Sequence, residues 1–340
     1  METEHTLYTE GSSSMRNLRA GSISLVVTSP PYPMVRMWDG LFAERDSYLA
    51  SLLAAGEGEA AFERMHAQLD RTWDALARVL HEGAFVCINI GDATRSLQGE
   101  FKLYPNAARI GEAMRRRGFS PLPSIVWRKS TNAPTKFMGS GVLPAGAYVT
   151  LEHEKVLIFR KGGKRRFTEE EKERRRESAF FYEERNTWFS DVWRLGGERQ
   201  RADAELNRSR TAAFPLALPQ RLINMYSIKG DTVLDPFAGT GTTLVAAGML
   251  ARNSIGYEYD ESFLPTFERR MQELPVESML YVNERLNAHN RFVESLEKPP
   301  KHTNPALRTR VFTKQETQMT LEVVTDIRHI GAGRFRLYHG

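Results

Sequence analysis

The stretch "DTVLDPFAGTGTTLVAAGMLARNSIGYEYD", residues 231–260, constrains the fold more than any other part of the chain. A short apolar strand, "TVLD", runs into a glycine-rich turn, then a helical pattern, then a second strand, "SIGYE", that ends on an acid. Gly239 and Gly241 permit a sharp turn and close approach of a ligand to the backbone. The turn opens a helix N-terminus, where unpaired N–H groups attract negative charge. Glu258 follows Asp235 by 23 residues and sits at the second strand tip, where an acid accepts hydrogen bonds from both ribose hydroxyls of a nucleoside. The spacing is not that of the full GxGxxG motif, and no GxxxxGK[ST] lysine is present, so hydride transfer and nucleotide hydrolysis are disfavoured.

The rest of the chain repeats the alternation. "ISLVVT" (23–28), "AFVCINI" (84–90), "SIVW" (124–127) and "KVLIF" (155–159) read as strands, and most lack the alternation of a one-sided strand. Helical patterns lie between them. One places Phe62, Met65, Leu69, Trp73, Leu76 and Leu80 on one stripe and ends near Gly83; another, "YPNAARIGEAMRRRGF", ends at Gly118 as C′ residue with Arg115 to Arg117 at its negative dipole end. "TTLVAAGMLARN" is apolar nearly all round and reads as sandwiched. Strands alternating with helices predict an α/β fold, a mostly parallel sheet with helices on both faces.

Two regions break the pattern. Residues 161–208 are highly charged around an aromatic segment, "FFYEERNTWFSDVWRL"; the tail from about 286 begins polar and then reads as strands of a small antiparallel addition. In "TEEEKERRR", Glu170–Arg174 and Glu171–Arg175 are spaced as i,i+4 ion pairs of a solvated helix. The net charge of +5 is compatible with a polyanionic partner without requiring one. Cys87, the single cysteine, lies in a strand and reads as apolar filler. The histidines show no ligand spacing, so no metal is expected. No apolar run is long enough to cross a bilayer and no signal peptide is visible, so no membrane association and a cytoplasmic location are expected.

A second motif, "VVTSPPYPMVRMWD" (26–39), leaves a strand through a stiff corner. Pro30 and Pro31 cannot donate to a sheet ladder, so the chain exits with its carbonyls in fixed directions and Tyr32 just beyond. "TSPPY" upstream and "DPFAGTGTT" about 200 residues downstream together resemble the amino-methyltransferases of DNA in the circularly permuted β arrangement, with the catalytic motif ahead of the cofactor motif. The resemblance covers roughly residues 20–275. "FVCINIGD" (85–92) resembles the strand beside the target-base pocket, "SIVWRKS" with "EHEKVLIFRK" resembles a further pair of family strands, and "AAFPLALPQRLI" (212–223) resembles the segment that folds over the methionine part of the cofactor. That segment opens Arg210-Thr211-Ala212 where many members carry His-Pro.

The resemblance implies a Rossmann-like S-adenosylmethionine-dependent methyltransferase fold. It divides the chain into a catalytic half (1–160), a target-recognition region (161–208), a cofactor half (209–285) and a C-terminal extension (286–340). It implies Ser29, Pro30, Pro31 and Tyr32 as catalytic residues: an outward carbonyl, a side-chain acceptor and an aromatic plate for a base pulled from its stack. Cofactor contacts are expected from Asp235, Pro236, Phe237, Ala238, Gly239, Thr240, Gly241, Thr242, Glu258 and Tyr259, with Phe214 and Pro215. No Pro-Cys nucleophile motif is present, consistent with direct transfer to an amine.

By family habit Ser29 points to cytosine N4, with adenine N6 as the alternative. Methylation of RNA or a protein amide, or a catalytically silent nucleic-acid-binding module, are further readings. The expected partner is double-stranded DNA, with a cognate restriction endonuclease and a homodimer as further possibilities. In the recognition region Arg165, Arg166, Arg174 to Arg176 and Arg185 are candidates for phosphate contacts. Trp188, Phe189 and Trp193 either stack on bases or form a small local core. The tail is read as a DNA-contacting or dimer-forming element.

Overall fold

The computed structural model describes residues 1–129, 139–195 and 214–340. The strands, in chain order, are β1 (Glu2–Tyr8), β2 (Ile23–Thr28), β3 (Leu80–Ile90), β4 (Ala93–Leu97), β5 (Glu100–Tyr104), β6 (Phe119–Arg128), β7 (His153–Lys161), β8 (Val192–Trp193), β9 (Thr232–Asp235), β10 (Asn253–Tyr257), β11 (His302–Asn304), β12 (Thr309–Val311), β13 (Val324–Gly331) and β14 (Arg334–His339). Ten of them form one sheet in the order β13-β14-β1-β10-β9-β2-β3-β7-β6-β8, while β4-β5 and β11-β12 are separate hairpins.

The centre of the sheet, β1-β10-β9-β2-β3, is parallel. Antiparallel strands extend it on both sides, with β14 against β1 and β7 against β3. Both faces are covered, as continuous apolar runs require. In β2, Val26 packs with Trp73, Leu76, Ile110 and Met114 from the helices Gly58–Val79 and Asn106–Arg116. Its neighbours Leu25 and Val27 pack oppositely with Leu222 and Val245 from the helices Ala217–Tyr226 and Thr242–Met249. Every residue of Thr242–Met249 is buried, as its all-round apolar pattern predicts. The α/β fold read from the sequence is the observed one.

Some boundaries move. The stripe helix stops at Val79 and runs straight into β3, so Leu80 is already in the sheet and Gly83 lies within that strand. The tail does add antiparallel strands: β13 and β14 continue the main sheet through β1, while the hairpin β11-β12 stands apart from it. Gly118 does take the left-handed conformation, at φ +82°, directly after the helix Asn106–Arg116. No helix among the described residues is long and apolar enough to cross a membrane.

The topology gathers one edge of the sheet. The parallel strands β2, β3, β9 and β10 end at Thr28, Ile90, Asp235 and Tyr257 on that edge, and neighbours β9 and β2 mark the switch point where an α/β sheet opens a crevice. Because β7 runs antiparallel, its first residues, His153 and Glu154, lie at the same edge, beside the end of β6.

Candidate active site

A cavity of about 830 Å³ opens at this edge. Its wall includes Ser29, Pro30, Pro31 and Tyr32 together with Asp235, Pro236, Phe237, Ala238, Gly239, Thr240, Thr242, Glu258, Tyr259 and Phe214, so two motifs some 200 residues apart meet in one space. Gly241 and Pro215 are not on the wall. The residues Arg210-Thr211-Ala212 and the rest of 196–213 lie outside the described residues.

The two glycines have different tasks. Gly239, at φ +51°, has open space where a Cβ would project, which leaves the backbone accessible from the cavity. Gly241, at φ +78°, would put a Cβ 2.3 Å from the Phe267 ring, so it is there to let the helix Thr242–Met249 start against that ring. Behind the loop, Arg270 donates to the Thr240 carbonyl and to the Thr240 and Thr242 hydroxyls at 2.9–3.0 Å.

The two acids are also unlike. Asp235 is buried and accepts from Thr28 Oγ1 (2.6 Å), Thr243 Oγ1 (2.7 Å) and the Phe237 N–H (3.1 Å). Burial pushes its carboxyl up to about 6. It is a post that ties the tips of β2 and β9 to the following helix. Glu258 accepts from the N–H groups of Gly239 (2.8 Å) and Asp260 (2.9 Å), and burial raises its carboxyl above the usual range. A carboxylate has about four acceptor positions, so Glu258 keeps acceptor capacity beyond these backbone donors.

At the proline corner the structure supplies partners the sequence reading did not single out. Tyr32 Oη donates to Glu154 Oε2 (2.9 Å) and lies 3.1 Å from Ser29 Oγ. Asn89 Nδ2 donates to Tyr32 Oη (2.9 Å) and Glu154 Oε2 (2.6 Å), and Lys129 Nζ closes the set on Glu154 Oε1. Burial, and then the Glu154 charge, hold the Tyr32 phenol well above its ordinary range, so it stays protonated. Asn89 and Glu154 stand within "FVCINIGD" and "EHEKVLIFRK", but the strand opens His153-Glu154-Lys155 and closes Arg160-Lys161, so nothing in its pattern sets Glu154 apart from its charged neighbours.

The corner is braced from behind. Asn106 Nδ2 donates to the carbonyls of Pro33 and Gly91, both at 3.0 Å, and its Oδ1 pairs with His66 Nε2 at 3.0 Å. The next buried residue, Met34, takes φ +66°, a left-handed conformation costing about 1–2 kcal/mol that this packing must hold.

The recognition candidates divide. Trp193 is buried in the main core with Trp127 and Leu218, and Trp188 is buried beside Phe180, whereas Phe189 is 45% exposed. Arg165 is committed inside the protein, its guanidinium held by Asp231 (2.7 Å) and Glu171 (2.8 Å). The pair Glu170–Arg174 forms, at 3.9 Å, but Glu171–Arg175 does not, because Glu171 turns to Arg165 and Arg175 lies over Phe167. Arg115 and Arg116 are absorbed by Glu112, and Arg117 by Asp74. The segment docks on the tail-side helix Leu274–Glu294 through Glu184–Arg285 (2.6 Å), Glu183–His289 (2.7 Å) and Phe181 stacked 3.8 Å from the His289 ring. Cys87 is buried and its thiol is raised by burial, as befits filler.

A strand-edge cavity that joins a Ser-Pro-Pro-Tyr corner to a glycine loop and a strand-tip acid defines an amino-methyltransferase. The family model for the N6/N4 methyltransferases, described as DNA methylase, matches residues 23–269. The chain belongs to this family of DNA methyltransferases. It is 48% identical over 342 residues to the type II methyltransferase M.MthZI of Methanothermobacter thermautotrophicus, across all of this chain and 96% of that protein. It is 45% identical to the type II methyltransferase M.MjaI of Methanocaldococcus jannaschii, across 79% of this chain and 91% of that protein. A putative DNA modification methylase from Thermus thermophilus, solved with S-adenosylmethionine, superposes with TM-score 0.61 at 31% identity over 80% of this chain and 96% of that one. The family's cofactor is S-adenosylmethionine, and the residues fit it: the open backbone at Gly239, the acceptor Glu258 and the apolar Phe237 share one wall.

Proposed function

We propose that the chain methylates the exocyclic N4 of a cytosine flipped out of duplex DNA. The observation that carries this reading is the shared cavity, with Ser29 and Tyr32 on the same wall as Gly239 and Glu258. An exocyclic amine is a poor nucleophile because its lone pair is delocalised into the ring. Acceptors for its N–H groups favour a pyramidal nitrogen, and placement in line supplies much of the remaining acceleration. S-adenosylmethionine supplies a sulfonium methyl that is already activated.

On this reading Ser29 Oγ and the Pro30 carbonyl accept from the amine, the Tyr32 ring stacks on the base, and the corner's rigidity fixes the acceptors before substrate arrives. Glu258 accepts from the cofactor ribose, while Gly239, Phe237 and Phe214 surround the rest of it. Asp235 acts at one remove, as the post that holds the loop. The residues 161–195 with the tail form the recognition side, and double-stranded DNA of a restriction–modification system is the substrate, which implies a cytoplasmic enzyme with a cognate endonuclease. The alternative within the family is adenine N6, which also presents an amine beside a ring nitrogen.

Incubating unmethylated duplex DNA with labelled S-adenosylmethionine and identifying the product nucleoside by mass spectrometry tests the reading. N4-methylcytosine is expected. N6-methyladenine as the sole product would overturn the base assignment, and cofactor binding without transfer would favour a silent module.

A further inference from the structure

The Tyr32 hydroxyl has one proton and three polar neighbours, Glu154, Asn89 and Ser29. Carboxylate oxygens only accept, so the single Tyr32 hydroxyl proton is committed to Glu154 Oε2. The Asn89 amide is oriented by the same rule, since its oxygen facing that carboxylate at 2.6 Å would be repelled. Asn89 Nδ2 therefore donates to Tyr32 Oη as well, and Asn89 Oδ1 is left buried without a partner. With its proton spent, Tyr32 Oη has only acceptor capacity for Ser29. The 3.1 Å contact must then carry the Ser29 proton toward Tyr32. Both Ser29 lone pairs are left for the cavity, whose wall Ser29 forms.

We infer that Glu154 is a positioning residue, which acts through Tyr32 to lock the Ser29 hydroxyl as a hydrogen-bond acceptor toward the substrate amine. The inference rests on the reading that Ser29 accepts from that amine. A serine free to rotate can present either its proton or its lone pairs; a proton aimed at an amine nitrogen would hold the lone pair that must attack the methyl group. The charge on Glu154 sets the direction of the whole chain, and Lys129 on its other oxygen balances that charge. Lys129 is itself placed over the Trp127 ring, 4.5 Å from the centroid, and Trp127 is the register partner of Glu154 across β6 and β7. All the hydrogen bonds of the Tyr32 hydroxyl are thereby consumed inside the protein, which leaves the ring face as its surface for the base.

Glu154→Gln tests this without changing size. A glutamine amide at this place turns its oxygen to Lys129 and its NH2 to Tyr32 and Asn89, so the Asn89 amide must turn as well, the Tyr32 proton loses the carboxylate that commits it, and the direction of the Ser29 hydroxyl is no longer fixed. The measurement is the single-turnover rate of methyl transfer to unmethylated duplex DNA, with the cofactor and DNA dissociation constants measured alongside. Glu154→Gln should slow transfer about 10- to 100-fold while both dissociation constants stay within about twofold. The double variant with Ser29→Ala should be no slower than Ser29→Ala alone, because a residue that works only through Ser29 has nothing to position once the hydroxyl is gone. A wild-type rate for Glu154→Gln, or losses that multiply in the double variant, would sink the inference. A wild-type rate for Ser29→Ala would instead sink the reading of Ser29 beneath it. Should Glu154→Gln not fold, Tyr32→Phe cuts the same chain one link nearer with the stacking ring retained, and the same cycle with Ser29→Ala decides.

Discussion

The two walls of the cavity are built on opposite plans. On the cofactor side a single contiguous stretch, Asp235 to Thr243, supplies the turn, the post and the start of the helix; Asp235 bonds within it to Phe237 and Thr243, and Thr28, Glu258 and Arg270 buttress it from elsewhere. On the base side the working group is assembled from four separate places, Ser29 and Tyr32 after β2, Asn89 in β3, Lys129 after β6 and Glu154 in β7. A wall carried by one stretch has its groups in order wherever that stretch folds, whereas an assembled one depends on every strand that feeds it. The antiparallel insertion of β7 and β6 beside β3 is what makes the second plan possible, because it brings a strand beginning and a strand end to an edge otherwise made of parallel strand ends.

The largest expected effect tests whether the walls are separable in function. Tyr32→Ala and Ser29→Ala should each lower the rate of methyl transfer by about 10²- to 10³-fold, the usual cost of one preorganised polar group at a reacting centre. Cofactor affinity by calorimetry should stay close to wild type. A matching loss of cofactor binding in both variants would mean the corner is scaffold for the whole cavity. Next comes the post. Asp235→Ala leaves the Thr28 hydroxyl and the Phe237 N–H without their acceptor in the interior, and should cost about 2–4 kcal/mol of stability in urea unfolding. Smaller again is Glu258→Ala, which should weaken S-adenosylmethionine binding by about 1.5–3 kcal/mol with little change in fold stability. Unchanged affinity there would remove Glu258 from the cofactor site.

The same contrast explains what could be read from the sequence. The strands Ile23–Thr28 and Thr232–Asp235 were legible residue for residue, because parallel strands covered on both faces are continuous apolar runs. Strand β1 was not, since its inward positions are Thr3, His5 and Leu7. The first two are buried through hydrogen bonds, His5 to Ser254 (2.7 Å) and Thr3 to His339 (2.8 Å), that no hydropathy pattern reveals. Strand β6 was seen only over its last residues, because Pro121 and Pro123 mask its start; the register shifts between Leu122 and Ile125 to accommodate them. In the site, the glycine loop was legible because its geometry is local. Asn89, Asn106, Lys129 and Glu154 were not, because nothing in a linear sequence says that an antiparallel strand will deliver a carboxylate beside a tyrosine 122 residues away.

Acid should separate the two walls by the sign of their response. His66, behind the base-side brace, is held at about 4 by burial against an ordinary 6.5. Below pH 6.5 the unfolded chain takes up a proton that the folded His66 refuses, so stability present at neutral pH is lost as the pH falls toward 4. The slope is about 1.4 kcal/mol per pH unit. Asp235 responds in the opposite sense. Its carboxyl is raised to about 6 from an ordinary 3.8, so in that window the folded state holds more protons, and falling pH favours the fold through this group. His5 and His339, at about 3 and 4, add to the loss. The His66 share is isolated by comparing wild type with His66→Gln, which keeps a donor for Asn106 Oδ1 and does not titrate. Urea unfolding at pH 7, 6 and 5 should show the variant losing less stability than wild type across the lower interval, by about 1 kcal/mol. Parallel stability curves for the two proteins would show that the brace behind the proline corner admits a proton freely, and that the base-side wall is looser than its hydrogen bonds imply.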